Sequence, residues 1–348
     1  MSTHPDLILG IESSCDETSA ALVSGGKIVH SHVVASQDSL HETFGGVIPE
    51  IACRAHVQAI VPVAEEALRK SGFSRKDIQA VAATYRPGLA GSLLIGLTFA
   101  KACSLALNVP LTGVDHLHAH LYAAALEHDI AFPAVGLVVS GGHTALFLWE
   151  DYLSCSPIGS TIDDAAGEAF DKAASILGLG YPGGPLIEKA ASEGDRTRFN
   201  FPRTFIKDDN LRFSFSGIKT AVLYHCQGHS RGKGEIRDMD EQEIHDVAAS
   251  FQEAVADVIA AKVKRAVSET GAVCVAAGGG VVCNKRIRSR IREECGADAY
   301  FPSPGLCIDN AAMTAGLGFH LLKAGTQHDL FLDVDPRPLR IKARGSGT

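Results

Sequence analysis

One short pattern occurs twice in this chain, and it constrains the fold more than any other feature. The apolar run Leu7 to Ile11 leads through the polar turn Glu12-Ser-Ser-Cys-Asp-Glu-Thr18 into a second apolar run, Ala20 to Val23. Far along the chain, Val135 to Val139 leads through Ser140-Gly-Gly-His-Thr144 into Ala145 to Trp149. Each reads as a strand, a tight polar turn and a return strand. The repeat predicts two related lobes, and lobes that face each other bring both polar turns to one cleft. The length of 348 residues points the same way, because a single core rarely keeps growing to that size. The expected division is a first lobe over 1–132 and a second over 133–348.

Between and after these units, strand-like and helix-like segments alternate, which predicts an α/β fold with mainly parallel strands and crossover helices. Helices are expected over Ala55 to Ser71, Ser92 to Leu107, Asp163 to Leu177, about Pro185 to Glu193 and about Asp240 to Thr270. Short buried strands are expected at Ile78 to Thr84, Leu111 to Val114 and Val273 to Ala277. Asp195 to Ser216 reads as irregular and Gly228 to Gly234 as an exposed loop. A helix opens near Asp309 or Asn310, either of which suits its N-terminus.

The composition, 46% hydrophobic with 35 glycines and few aromatics, suits a soluble α/β protein with tight turns. No apolar run is expected to span a membrane, and the first residues carry neither a secretory signal nor an Arg-rich transit pattern. Nine scattered cysteines without a CxxC pair read as free thiols in a reducing cytoplasm. A net charge of −8 gives no global electrostatic case for nucleic-acid binding. Two local basic groups remain as candidate phosphate contacts. They are Lys285, Arg286, Arg288, Arg290 and Arg292, and the tail residues Arg337, Arg340, Lys342 and Arg344.

His116, His118 and His120 fall in one helical stretch. Residues four apart share a helix face, so His116 and His120 can reach one metal ion. His118 points elsewhere and reads as a surface or supporting group. With fifteen histidines in the chain, a chance pair is the alternative. Asp309 would complete a two-histidine, one-carboxylate set suited to iron or zinc, although other aspartates could serve and Asp309 could equally be a helix cap. Glu12 and Asp16 stand in the first polar turn. Asp164, Glu168 and Asp171 are expected on one helix face, either as a ligand-binding ridge or as a solvated acidic surface.

Three glycine-rich turns, at Val139 to His143, Tyr181 to Pro185 and Ala277 to Val281, let backbone N–H groups approach phosphate. None matches the GxxxxGK[ST] loop or a clean dinucleotide fingerprint. The stretch His116-Leu-His-Ala-His120 lacks the glutamate of HExxH, which argues against a metallopeptidase, and no GxSxG elbow is present.

Several of these segments, in order along the chain, resemble the TsaD/Kae/Gcp family. They are Ile11 to Thr18, Gly45 to Glu50, His116-x-x-x-His120, Val139 to Thr144, Asp163 to Lys172, Tyr181 to Pro185, Phe213 to Lys219 and Cys307-x-Asp-Asn310. The resemblance implies an actin/Hsp70/sugar-kinase-like fold, two duplicated RNase H-like lobes around a nucleotide cleft. It implies transfer of a threonylcarbamoyl group from threonylcarbamoyl-AMP to N6 of the adenosine just 3′ of the anticodon, in tRNAs reading ANN codons. By position it assigns His116, His120 and Asp309 to one divalent metal, Fe(2+) or Zn(2+). It assigns Val138, Val139, Ser140, Gly141, Gly142, Asp171, Gly184, Glu188 and Asn284 to the substrate, and places Glu12 and Asp16 at the cleft floor as catalytic candidates. It implies TsaB-like and TsaE-like partners, an upstream TsaC- or Sua-type synthase, and a cytoplasmic setting. An actin- or Hsp70-like ATPase or chaperone module is the alternative that shares the fold.

Three departures stand out. Arg86 replaces a glycine in the family's Thr-x-Gly-Pro-Gly-Leu loop. An additional glycine in Gly278 to Gly280 shifts the register there by one while leaving Asn284. Val138 stands where archaeal-type members carry a tyrosine, which with His143 places the chain among bacterial members.

Overall fold

The computed structural model describes residues 6–227 and 238–337. The expected loop Gly228 to Gly234 and the basic tail residues Arg340, Lys342 and Arg344 lie outside the described residues.

The first repeat forms a three-stranded antiparallel meander of β1 (Leu7–Glu12), β2 (Thr18–Ser24) and β3 (Ile28–Ala35). Two parallel strands, β4 (Ala80–Arg86) and β5 (Leu111–Asp115), add beside β1, giving the order β3-β2-β1-β4-β5. The second repeat builds the same sheet again. A meander of β6 (Ala134–Val139), β7 (Thr144–Trp149) and β8 (Cys155–Ser160) is extended by β9 (Cys274–Gly278) and β10 (Asp298–Tyr300) in the order β10-β9-β6-β7-β8. Read from its other edge, this order matches the first sheet strand for strand. The duplication read from the two turns therefore extends to whole sheets.

The helices follow in chain order. A single turn, α1 (Asp38–His41), precedes α2 (Pro49–Ser71) and α3 (Ala90–Leu107). The histidine helix α4 (His116–Glu127) links the sheets. Next come α5 (Ala166–Ile176), α6 (Gly183–Ala191), α7 (Ser216–Gln227), α8 (Glu241–Thr270), α9 (Lys285–Glu294), the one-turn α10 (Pro304–Cys307) and α11 (Ala311–Lys323).

Strand alternation sends side chains into three cores. Leu7, Leu9 and Ile11 of β1 pack with Ile60, Val63 and Ala67 of α2 and Leu97 of α3. Ile8 faces the opposite way, toward α4 and α11. On the second sheet Val135, Leu137 and Val139 pack against α5 and α8, whereas Ala134 and Val138 face the α4 side. Helices α4 and α11 thus lie between the two sheets. Both faces of β1 and β6 are covered, which is why these strands read as unbroken apolar runs. At Gly10 an added Cβ would stand 2.2 Å from the Ala311 carbonyl oxygen, so α11 can approach β1 only over a glycine.

Helix α3 is long and apolar enough, by length and composition, to cross a membrane, contrary to the expectation of no such run. In this fold Leu93, Leu97 and Ala100 of α3 are buried, and the helix packs on β4 and α2. The expected helix from Asp163 begins instead at Ala166, so Asp163 and Asp164 precede α5, although Lys172 still reaches both Asp164 and Glu168. Asp163 accepts hydrogen bonds from the Ser214 and Ser216 hydroxyls at 2.5 and 2.7 Å and from the Phe215 N–H at 2.9 Å. It thereby anchors the start of α7. Asp164 pairs with Lys172 at 2.8 Å and Lys219 of α7 at 3.1 Å, and Lys172 also meets Glu168 at 3.2 Å, so that part of the acidic ridge is neutralised while Asp171 is not.

Candidate metal centre and nucleotide cleft

The histidine helix is placed from both ends of its first turn. Asp115 caps α4, accepting from the Leu117 and His118 N–H groups at 3.0 and 3.1 Å. The Arg86 guanidinium stands 3.0 Å from the Asp115 carboxylate, so the residue that departs from the family loop steadies the cap of this helix. Leu117, Leu121, Tyr122 and Leu126 bury its apolar side, worth roughly 1.5–3 kcal/mol for each large side chain.

On the remaining face His116 and His120 stand with ring centroids 4.5 Å apart. Asp309 Oδ1 lies 3.0 Å from His120 Nε2 and 3.5 Å from His116 Nε2. Asp309 is free for this because Asn310, not Asp309, caps α11, accepting from the Met313 N–H at 3.0 Å. The Asn310 amide also donates to the Leu306 and Ile308 carbonyls, which fixes the bend that presents Asp309.

Both ring nitrogens of His120 are buried without a hydrogen-bond partner. His120 Nε2 and Asp309 Oδ1 are close but not aligned to bond each other. Two buried imidazoles and a carboxylate, with ligand atoms within 4.8 Å of one another, form a donor set that fits a divalent transition metal. Burial disfavours a charge on either histidine, and at His116 the negative charges of Asp309 and Glu12 overcome it, raising the group to about 9. His120 is pushed down by burial and by the charge of His116. Asp309 is held well below the usual carboxylate range; burial opposes this, but the His116 charge and His120 contact prevail.

Glu12, expected at the cleft floor, sits fully buried behind His116. Its Oε2 is 3.3 Å from His116 Nδ1 and also accepts from the Thr84 hydroxyl, while Oε1 accepts from the Ser14 N–H at 2.7 Å. The Ser14 hydroxyl stands 3.1 Å from the same Nδ1. A carboxylate behind a ligating histidine fixes ring orientation and tautomer. Asp16 forms a close trio with Glu17 and Asp38, and burial raises the Asp16 carboxyl. His118 is half-buried with its ring 6.2 Å from Trp149 and lies apart from the ligand set, as expected. His143, quoted only as part of a motif, proves to be close enough to feel the charges of His116, His120 and Asp309; burial first, then the two histidines, lowers it to about 4.

The three glycine turns converge beside this centre. Val138 pairs with Gly278 across β6 and β9. A Cβ at Gly279, whose φ is +99°, would stand 2.3 Å from the Val139 carbonyl oxygen. A Cβ at Gly167 in α5 would meet the Ser140 carbonyl oxygen at 2.5 Å, and one at Gly183 would meet Asp171 Cα at 2.6 Å. Asp171 in turn accepts from the Gly183 N–H at 2.8 Å. Gly184, Glu188 and Asn284 line one cavity together with Phe170, Gly280 and Cys283. At Gly141, Gly142, Gly184 and Gly280, by contrast, a side chain would meet open space, so packing does not demand glycine there. Asn284 is partly used by the fold, capping α9 and donating to Gln252 at 2.6 Å, and Glu188 accepts from the Lys285 N–H.

Of the five basic residues of α9, two are neutralised by acidic partners and Lys285 is exposed. Arg286 pairs with Glu253 and Glu293, and Arg290 with Asp257, Glu293 and Glu294. Arg288 donates to backbone carbonyls, and Arg292 lies over the Phe301 ring. Of the tail, Arg337 pairs with Asp335.

Residues 28–316 match the profile of TsaD, tRNA N6-adenosine threonylcarbamoyltransferase. The chain belongs to the TsaD family. Relatives named tRNA N6-adenosine threonylcarbamoyltransferase include one from Syntrophotalea carbinolica, 48% identical over 94% of this chain and 95% of its own, and one from Moorella thermoacetica, 49% identical over 88% and 89%. Among solved structures, HypF of T. kodakarensis superposes with a TM-score of 0.62 at 17% identity, covering 94% of this chain and 49% of that one. Component A of (R)-2-hydroxyglutaryl-CoA dehydratase from Acidaminococcus fermentans gives 0.55 at 14%, covering 91% and 99%. These likenesses bear on fold alone, and they agree with the actin/Hsp70/sugar-kinase-like arrangement of the two sheets in this TsaD-family chain.

Proposed function

We propose that the protein transfers the threonylcarbamoyl group from threonylcarbamoyl-AMP to N6 of the adenosine just 3′ of the anticodon in tRNAs reading ANN codons. The observation that carries this reading is the adjacency of two sites. The His116, His120 and Asp309 set stands next to three converging glycine turns, inside a chain whose close relatives bear the transferase name.

The donor is a mixed carbamic–phosphoric anhydride and is already activated, so the protein's work is positioning and charge stabilisation. Val138, Val139, Ser140, Gly141 and Gly142 present backbone to the adenylate, and the open space over Gly141, Gly142 and Gly184 supports that use. Asp171, Glu188 and Asn284 line the rest of the cleft. His116, His120 and Asp309 would hold a divalent metal, with ferrous iron the first candidate and zinc the second, which when bound polarises the acyl group and neutralises phosphate or carboxylate oxygens. Glu12 orients His116. The adenosine amine attacks the carbamoyl carbon, the bond to the phosphate oxygen breaks, and AMP leaves. Asp16, in the polar turn after β1 and with its carboxyl raised by burial, is the candidate to accept the amine proton. The target base must leave its stack to reach the cleft.

With a net charge of −8, and Arg286 and Arg290 of α9 already paired with acidic residues, the chain is poorly equipped to hold tRNA alone. TsaB-like and TsaE-like partners complete the surface in this reading, a TsaC- or Sua-type synthase supplies the intermediate, and the setting is the cytoplasm. The test combines the protein and these partners with threonine, bicarbonate, ATP and unmodified tRNA, followed by nucleoside digestion. Threonylcarbamoyladenosine is the expected product; its absence with active partners contradicts the reading.

A further inference from the structure

Two thiols that the transfer chemistry does not use meet at the edge of the nucleotide cleft. Cys283 ends the one-turn 3-10 helix Gly280–Cys283 and lines the cavity beside Gly184, Glu188 and Asn284. Cys307 ends α10, two residues before Asp309. These two turns pack on each other: the Cys283 thiol reaches the Pro304 carbonyl of α10 at 3.8 Å, and the Cys307 thiol donates to the Pro302 carbonyl at 3.4 Å.

Arg288 ties the pair together. Its Nη2 stands 3.1 Å from Cys307 Sγ and 2.8 Å from the Pro302 carbonyl oxygen, while its Nε donates to the Val282 carbonyl. Cys283 is partly buried, whereas Cys307 is buried. The Cys307 contact and the Arg288 charge push Cys283 down to about 7, whereas burial raises Cys15, Cys103, Cys155 and Cys274. A cavity-lining cysteine beside an arginine that contacts a second cysteine in the adjoining turn is the arrangement of a reversible redox site.

We propose that Cys283 and Cys307 form an oxidation site, joined as a disulfide by an oxidant of the peroxide class. The Cys283 thiolate attacks one oxygen of hydrogen peroxide, the O–O bond breaks, and Cys283 becomes a sulfenic acid as hydroxide leaves. Cys307 sulfur then attacks the Cys283 sulfur, the S–O bond breaks, and water departs with the Cys307 proton. The released hydroxide takes up the proton that Cys283 gave up, so two thiols and one peroxide yield one disulfide and two waters. The bond ties the wall of the nucleotide cavity to the segment that presents Asp309, and so restrains both halves of the site. This consequence for activity rests on the transferase reading; formation of the bond does not.

The test treats the full chain with hydrogen peroxide, alkylates remaining thiols and maps the digest by mass spectrometry. The expected result is a peptide pair linked through Cys283 and Cys307 that dithiothreitol separates. In Cys283→Ser, Cys307 should remain open to alkylation after unfolding. Recovery of both residues as free thiols, or pairing with other cysteines, overturns the site. In the nucleoside assay on zinc-loaded protein, whose metal peroxide does not oxidise, the wild-type rate should fall severalfold as the bond forms and return on reduction, while the rate of Cys283→Ser, compared with itself, should not respond to peroxide. A bond that forms without loss of rate overturns the functional consequence. An inactive reduced wild type would instead count against the transferase reading.

Discussion

Gly278, at the end of β9, lies directly beneath His120 of α4: a Cβ on Gly278 would stand 2.0 Å from the His120 carbonyl oxygen. The second sheet therefore carries the metal helix at the closest approach a backbone permits. Gly278→Ala cannot be absorbed by a flexible side chain, because the obstacle is backbone. Overpacking of this kind costs about 1–3 kcal/mol, and here it also displaces a ligand. Urea unfolding and metal analysis should show both losses together. Full metal content with unchanged stability would contradict the packing argument.

Glu12 reaches the site through His116. Replacing a carboxylate behind a ligating histidine typically weakens metal binding about 10–100-fold. Glu12→Gln should therefore lower metal affinity by that order, measured by competition with a chelator, while the fold remains. An unaltered affinity would show that Glu12 is not the orienting partner.

These relationships mark what the sequence could and could not disclose. The spacing of His116 and His120 is a local helical property, and the two polar turns are local strand properties, so both were legible. That Asp309 and not another aspartate joins them depends on Asn310 taking the cap, which is decided by the bend after α10. Glu12 behind His116 is a contact between strand and helix that no local pattern encodes. The misplaced start of α5 has a related cause. Asp163 and Asp164 look helical in a charged run, but their partners Ser214, Ser216 and Lys219 lie some fifty residues on. Arg286 and Arg290 of α9 suggested phosphate contacts because their partners Glu253 and Asp257 on α8 are invisible to a reading of α9 alone.

Asp16 offers a kinetic test. General acid–base groups contribute typically 10²–10⁴-fold to rate. Asp16→Asn should reduce kcat of nucleoside formation by about that factor with metal content unchanged. A fall confined to KM would assign Asp16 to binding instead.

The metal-free protein should carry a distinct pH signature. His116 is raised from 6.5 to about 9 in the fold by its acidic neighbours, against burial. A raised group adds stability that is complete below its unfolded value and fades as pH climbs through its folded value. After chelation, Tm should therefore decline between about pH 6.5 and 9 in wild type. The decline should be smaller in His116→Gln. Equal profiles for the two proteins would contradict the assignment.

Metal content and product formation, measured on the same preparations, test the central claim most directly. Wild type should carry one divalent metal per chain and form threonylcarbamoyladenosine with its partners. His120→Ala and Asp309→Ala should lose the metal and the activity together while remaining folded by circular dichroism. Either variant forming the nucleoside at the wild-type rate without bound metal would contradict the account.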